Sequence, residues 1–195
     1  KFLSLSFIKS EIIPLIKQYR VEAVCITGGE PTLHPQLPEI LETLNHSGAT
    51  VTLVTSGSHL ERVFDRVKYN VHAWLFSLDA PDQILHKQIR GLENFAELIA
   101  WPAKIKSACP HAAIAFNCLI QKQNIRHLID IYRLVCQLPC AGIFFNVPDL
   151  QPHSFAKNGR AVSRDYVDKY VILSDEEMEI LGNNLAEVWE LDAAR

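Results

Sequence analysis

The sequence predicts an α/β fold: a parallel sheet with helices outside it. Three observations carry that prediction. Segments rich in Val, Ile, Phe and Thr recur six times, a helix-like stretch separates each pair, and the strand segments read as nearly continuous apolar runs. Strands joined by single helices imply right-handed parallel crossovers, and six such units make a sheet that can curl without closing.

The expected strands are Phe2 to Phe7, Ala23 to Thr27, Thr50 to Thr55, Ala73 to Leu78, Ala112 to Leu119 and Gly142 to Val147. Helical patterns lie between them at Lys9 to Tyr19, Gln36 to His46, His59 to Val67, Phe95 to Ser107 and Ile125 to Gln137. In the first helix Ile12, Ile13, Leu15 and Ile16 cluster on one side, and Pro14 is tolerated only in an opening turn. From Pro148 to Val171 neither period survives, which predicts a long loop. Ser174 then opens the string SDEE, a capping box with Glu177 three residues on, and a helix follows from Asp175 to about Leu191. The expected division is a core over residues 1–150 and, over 151–195, a loop and a C-terminal helix packed on it.

Composition narrows the function classes. A chain of 195 residues with 48% hydrophobic content can bury one substantial core. A formal charge of -3 offers no excess of Lys and Arg for a nucleic-acid backbone or an anionic membrane surface. No apolar run approaches the roughly 18 residues of a membrane span, and the residues after Lys1 do not resemble a signal peptide, so the expected compartment is the cytoplasm. The five cysteines, Cys25, Cys109, Cys118, Cys136 and Cys140, are an odd number without an export signal, which speaks against a disulfide framework. Cys25 and Cys118 sit inside apolar runs as small core residues do.

In sheets of this kind ligands meet the loops at the carboxyl ends of the strands. There, after the second expected strand, stands Thr27-Gly28-Gly29-Glu30-Pro31-Thr32-Leu33. Paired glycines make positive φ accessible and let a ligand approach the backbone closely. A bare Gly-Gly pair is usually only a tight turn. The string TGGEP followed by Leu33, His34 and Pro35, however, resembles the radical S-adenosylmethionine (radical SAM) superfamily, in which this turn holds the amino group of the cofactor's methionine moiety.

The resemblance runs from about Phe2 to Pro148 and implies a partial (β/α)6 TIM-like barrel with outer helices, followed by a C-terminal helix. It implies cofactor contacts at Gly28, Gly29, Glu30 and Pro31, and near the turn Thr55-Ser56-Gly57, which could equally be an ordinary turn. Ser77 and Asp79 end the fourth expected strand, and Arg90 follows. In the family these positions meet the carboxylate or ribose of the cofactor, a role suited to a guanidinium fork, although Arg90 could also be solvated. Asn117 interrupts an apolar strand and needs a partner, since an unpaired buried amide costs about 1–3 kcal/mol. The resemblance places the stretch Asn117 to Asn124 beside ribose and adenine, and Asn146, Val147 and Pro148 beside the adenine ring.

Family chemistry needs a 4Fe-4S cluster on three thiolates spaced CxxxCxxC, and no such motif occurs in the sequence. Cys136 and Cys140 give two ligands at most, in the wrong place. Phe7 passes into Ile8 without turn residues, so the expectation is a cysteine-bearing loop between Phe7 and Ile8 that the sequence omits. With it, the resemblance implies S-adenosylmethionine and a 4Fe-4S cluster as cofactors. It also implies reductive cleavage of the former to start radical modification of a small molecule or a peptide, with a lean to a peptide or natural-product precursor. A one-electron donor such as flavodoxin or ferredoxin would serve it.

No catalytic residue is assigned. His34 and His86 are as readily structural, and Asp149, Gln151, His153, Lys157, Asn158, Arg160, Arg164 and Asp165 could line a lid or only a solvated connection. Two alternatives stand beside the main reading. One is a cluster-free barrel that keeps a nucleoside pocket for binding or regulation. The other is a phosphate-binding barrel, disfavoured by Glu30 after the glycines and by the lack of a Walker-type lysine.

Overall fold

The computed structural model of the protein describes residues 2–148 and 163–195. Among them five strands, β1 (Ala23–Ile26), β2 (Thr50–Thr55), β3 (Ala73–Ser77), β4 (Ala113–Leu119) and β5 (Ile143–Asn146), form one sheet in the order β1-β2-β3-β4-β5. Strands β1 and β2, β2 and β3, and β4 and β5 pair in parallel. Spatial order thus repeats chain order, and the parallel pairing fits connections that carry helices and are too long for hairpins. Burial alternates along the strands: Val51, Leu53 and Thr55 of β2, Trp74 and Phe76 of β3, and Ile114, Phe116 and Cys118 of β4 are buried, while the residues between them are partly or fully open. One face of these strands is therefore packed and the other is less buried.

The first expected strand does not form. Residues Leu5–Phe7 are helix α1, Ile8–Ile12 a π-helical turn and Ile13–Tyr19 helix α2. Ser4 caps this run by accepting the N–H of Phe7 at 3.2 Å, and the N–H of Ile8 donates to Ser4 O at 3.1 Å. A six-residue alternation is a weak strand signal, and here a capping serine ahead of a helical pattern overrides it. Phe7 and Ile8 are thus neighbours within continuous helix. The π-turn has its own cause in Pro14, which has no N–H and would crowd the carbonyl of residue 10 in a regular helix. The wider turn, with the N–H of Ile13 donating to Ile8 O, leaves Pro14 in the opening turn of α2.

Four further elements depart from the sequence reading. Helix α3 (Leu37–His46) matches, but the expected helix at His59–Val67 is a 3-10 turn at Leu60–Arg62 followed by the short α4 (Phe64–Val67). Helix α5 (Gln83–Arg90) was not expected; Asp82 caps it by accepting the N–H of Leu85 at 2.9 Å, and Gly91, at φ 69°, ends it. Helix α6 (Phe95–Ala108) matches, whereas α7 (Leu128–Cys136) starts later than its pattern. The expected loop contains α8 (Arg164–Tyr170), and the capping box at Ser174 opens α9 (Asp175–Ala193) as the sequence requires. Arg164 pairs with Asp168 along α8, while Asp149, Gln151, His153, Lys157, Asn158 and Arg160 lie outside the described residues.

The chain divides into two compact units. The first takes in the residues up to Phe76, together with Glu97–Ala115 and Pro139–Ala141. Its core is Leu41, Val51, Leu53, Leu60, Trp74, Phe76, Leu98, Trp101 and Ile105, all essentially without solvent contact. Phe64 leans on Trp101 with ring centroids 5.1 Å apart. The second takes in Ser77–Ala96, Phe116–Leu138 and the described residues from Gly142 on. There α9 packs on α7, with the Tyr132 hydroxyl donating to Asp192 at 2.9 Å and Arg133 paired with Glu187 at 3.2 Å. Among the described residues no helix is long and apolar enough to cross a membrane.

Candidate cofactor site

In the first unit, β1 ends at Ile26 and the chain turns through Thr27, Gly28 and Gly29, all exposed. Gly28 adopts φ 145°, and open space lies where a Cβ would sit on either glycine. Glu30 anchors the far side of this turn. Its Oε1 accepts from the Thr32 N–H at 3.2 Å, the Thr32 hydroxyl at 2.6 Å and the Thr55 hydroxyl at 2.6 Å. Its Oε2 accepts from the Ser56 N–H at 2.8 Å and the Ser56 hydroxyl at 2.6 Å.

Burial alone would raise the Glu30 pKa. The donors from Ser56, Thr32 and Thr55 outweigh it and hold the carboxyl below the usual carboxylate range. Each such bond to a charged group contributes about 1.5–3 kcal/mol. The carboxylate thus locks the Gly28–Pro31 turn to the end of β2. Because the Glu30 carboxylate and the Thr55 hydroxyl are committed within the protein, what these two residues offer a ligand is backbone and shape. Ser56, a residue that nothing in the string Thr55-Ser56-Gly57 singles out, is as much a part of the lock as Thr55. Gly57 completes it from below: at φ 75°, a Cβ there would lie 3.3 Å from Trp101 Cδ1.

The second unit carries a second polar knot. Asp79 is buried just past the end of β3; its Oδ2 accepts from Arg90 Nη1 at 2.6 Å and its Oδ1 from the Leu119 N–H at 2.7 Å. The Nε–Nη2 edge of Arg90 takes no part in that pair, and Nε is buried without a partner among the described residues. A guanidinium held at one corner, with its Nε still lacking an acceptor, suits a carboxylate or phosphate.

Asn124, wholly buried, donates from Nδ2 to Asp79 O at 3.1 Å and Leu119 O at 2.9 Å, and accepts the Gln121 N–H at 2.9 Å. In the sequence it ends the stretch that the resemblance places beside ribose and adenine, with nothing to mark these backbone partners. His86 is buried, with Nε2 3.3 Å from Asn94 Oδ1. Burial first, then the charge of Arg90, pushes its pKa down despite Asn94 and Asp79, so it is a neutral core residue.

Ser77 ends β3, half-buried. Asn117 finds its partner in the side-chain amide of Asn146 across the β4–β5 pair. Val147 is 74% exposed beyond β5. His34 is structural, with Nε2 2.8 Å from Leu3 O and Nδ1 accepting the Gln36 N–H at 3.0 Å.

A model of the Radical SAM superfamily matches residues 2–135, and the Gly28–Pro31 turn lies inside that match. The chain belongs to the Radical SAM superfamily. It is 30% identical over 85 residues to an S-adenosylmethionine-dependent nucleotide dehydratase of Flammeovirga pacifica, covering 43% of this chain and 29% of the relative. It is 23% identical over 185 residues to a GTP 3',8-cyclase of Chlorobaculum tepidum, covering 91% of this chain and 55% of the relative. The chain thus spans from under a third to about half of these relatives. The crystal structure of Streptococcus suis SuiB bound to precursor peptide SuiA superposes with a TM-score of 0.65 at 15% identity, over 76% of this chain and 34% of that one. That likeness supports the fold: a parallel sheet with surrounding helices, of the kind found in radical SAM partial TIM barrels.

Radical SAM proteins use S-adenosylmethionine and a 4Fe-4S cluster, and the residues here fit the two unequally. The bare turn of the first unit suits an ammonium group, and the Arg90 guanidinium of the second, taken by itself, suits a carboxylate. For the cluster the fit fails. Cys25, expected in the core, is exposed on β1, away from any second thiol on that strand. Cys118 is buried, and burial, with the nearby Asp79 charge, pushes its thiol far up despite Arg90. Cys109 Sγ lies 3.5 Å from Lys68 O, and Cys136 faces Arg195. Among the described residues no three His, Cys, Asp or Glu side chains gather as a metal site.

Proposed function

We propose that the protein is a radical SAM enzyme that reductively cleaves S-adenosylmethionine to start radical modification of a small molecule or a peptide. The observation that carries this reading is the exposed Gly28–Gly29 turn locked from behind by Glu30, within a chain of this superfamily. When bound, the cofactor supplies the radical chemistry, and the chain's residues supply binding and orientation. In the first unit the turn offers main-chain groups to the methionyl ammonium. In the second, Arg90 offers its unpartnered Nε to a carboxylate, and Asp79 holds the guanidinium in place. Ser77, Asn117 and Val147 are the further cofactor contacts that the superfamily resemblance supports.

The three thiolates of a cluster occur in the required spacing nowhere in these 195 residues, so the reading requires them from outside this sequence. That requirement is the one observation favouring a cluster-free, nucleoside-binding barrel. The relatives, named as a dehydratase and a cyclase, weigh against it. Their names also support a nucleotide-like small molecule as substrate beside the peptide suggested by the likeness to SuiB. A one-electron donor of flavodoxin or ferredoxin type would complete the system.

The test is anaerobic reconstitution of the whole protein with iron and sulfide, followed by reduction with S-adenosylmethionine. Bound iron and release of 5'-deoxyadenosine are expected. A protein that binds the nucleotide but takes up no iron would establish the cluster-free reading instead.

A further inference from the structure

We propose that Asn124 is a positioning residue that aims the guanidinium of Arg90 at the carboxylate of the bound amino-acid cofactor. The inference rests on the reading of Arg90 given above and extends it to a residue that touches no ligand. Three segments of the second unit meet at Asn124: the chain after β3 at Asp79, the end of β4 at Leu119, and the turn at Gln121.

Its amide is fully used: Nδ2 donates to the Asp79 and Leu119 carbonyls and lies 3.6 Å from Cys118 Sγ, and Oδ1 accepts the Gln121 N–H. This fixes the Asp79 backbone relative to the Leu119 backbone, which in turn lets the Asp79 carboxylate accept the Leu119 N–H at 2.7 Å and Arg90 Nη1 at 2.6 Å together. With Nη1 pinned, rotation of the guanidinium is restricted and the buried, unpartnered Nε keeps a constant direction. An amide is the side chain suited to this place: a carboxylate would set an oxygen against two carbonyl oxygens, and a hydroxyl has one proton for two acceptors.

The test compares binding of S-adenosylmethionine with that of 5'-methylthioadenosine, which lacks the amino-acid carboxylate, by calorimetry on the whole protein. Wild type is expected to prefer S-adenosylmethionine. Arg90→Lys, which keeps the charge and loses the fork, should weaken that preference about tenfold or more. Asn124→Asp should do the same while leaving 5'-methylthioadenosine affinity within about twofold of wild type.

If Arg90→Lys loses the preference and Asn124→Asp keeps it, or if Asn124→Asp weakens both ligands equally, the positioning role is overturned while the reading of Arg90 stands. If both variants keep the preference, the reading of Arg90 fails and the inference with it. Should Asn124→Asp not fold, Asn124→Ser serves: loss of preference supports the role and an unchanged preference overturns it.

Discussion

The Thr55 hydroxyl donates to Oε1 of Glu30 at 2.6 Å, joining the turn after β2 to the turn after β1 through one side chain. Glu30→Gln keeps the volume but replaces one acceptor oxygen by a donor facing donors. The expected cost is about 1–3 kcal/mol of stability, read from urea denaturation.

The same carboxylate sets a pH dependence. Its pKa in the folded chain lies below the ordinary value of 4.5. Its stabilising contribution is therefore complete above that value and is lost as pH falls through the lower, folded-state pKa. The stability gap between wild type and Glu30→Gln should narrow steadily as pH is lowered below 4.5, in denaturation curves taken at successive pH values.

His86 gives a second slope, nearer neutrality. Its pKa is depressed from the ordinary 6.5, so the unfolded chain takes up the proton first and stability declines as pH falls below 6.5. In His86→Gln the decline between neutral and mildly acid pH should be shallower than in wild type. An unchanged slope would show that the imidazole is not held neutral.

Gly57→Ala is expected to destabilise the first unit by about 1–2 kcal/mol, since alanine is strained at positive φ. Its Cβ would also press on Trp101 at 3.3 Å. A lowered melting temperature together with altered tryptophan fluorescence checks both parts.

Alkylation should separate the thiols. Cys25 is exposed on β1, while Cys118 is buried with a thiol pushed far up by burial. Iodoacetamide at neutral pH should modify Cys25 in the folded protein and reach Cys118 only after denaturation, as read by peptide mass spectrometry.

The parallel sheet was legible because Thr50–Thr55, Ala73–Ser77 and Ala113–Leu119 are apolar enough to announce themselves without context. The turn at Gly28–Pro31 was legible because its glycines follow a strand directly. Phe2–Phe7 misled because its alternation is shorter than the helix into which Ser4 feeds it. Helix α5 is hard to read from the sequence although Asp82 and Gly91 mark both its ends, because its eight residues give only about two turns of repeat. The partnerships of Glu30 and Asn124 span 25 and 45 residues, and nothing local to either residue encodes them.

A loop that must be ordered by its ligand charges that ordering against affinity, whereas Gly28–Pro31 is set when the chain folds, by the anion of Glu30. Binding at this turn should accordingly show little conformational entropy loss from the protein, and preorganisation of this kind belongs to the scaffold before any nucleotide is present.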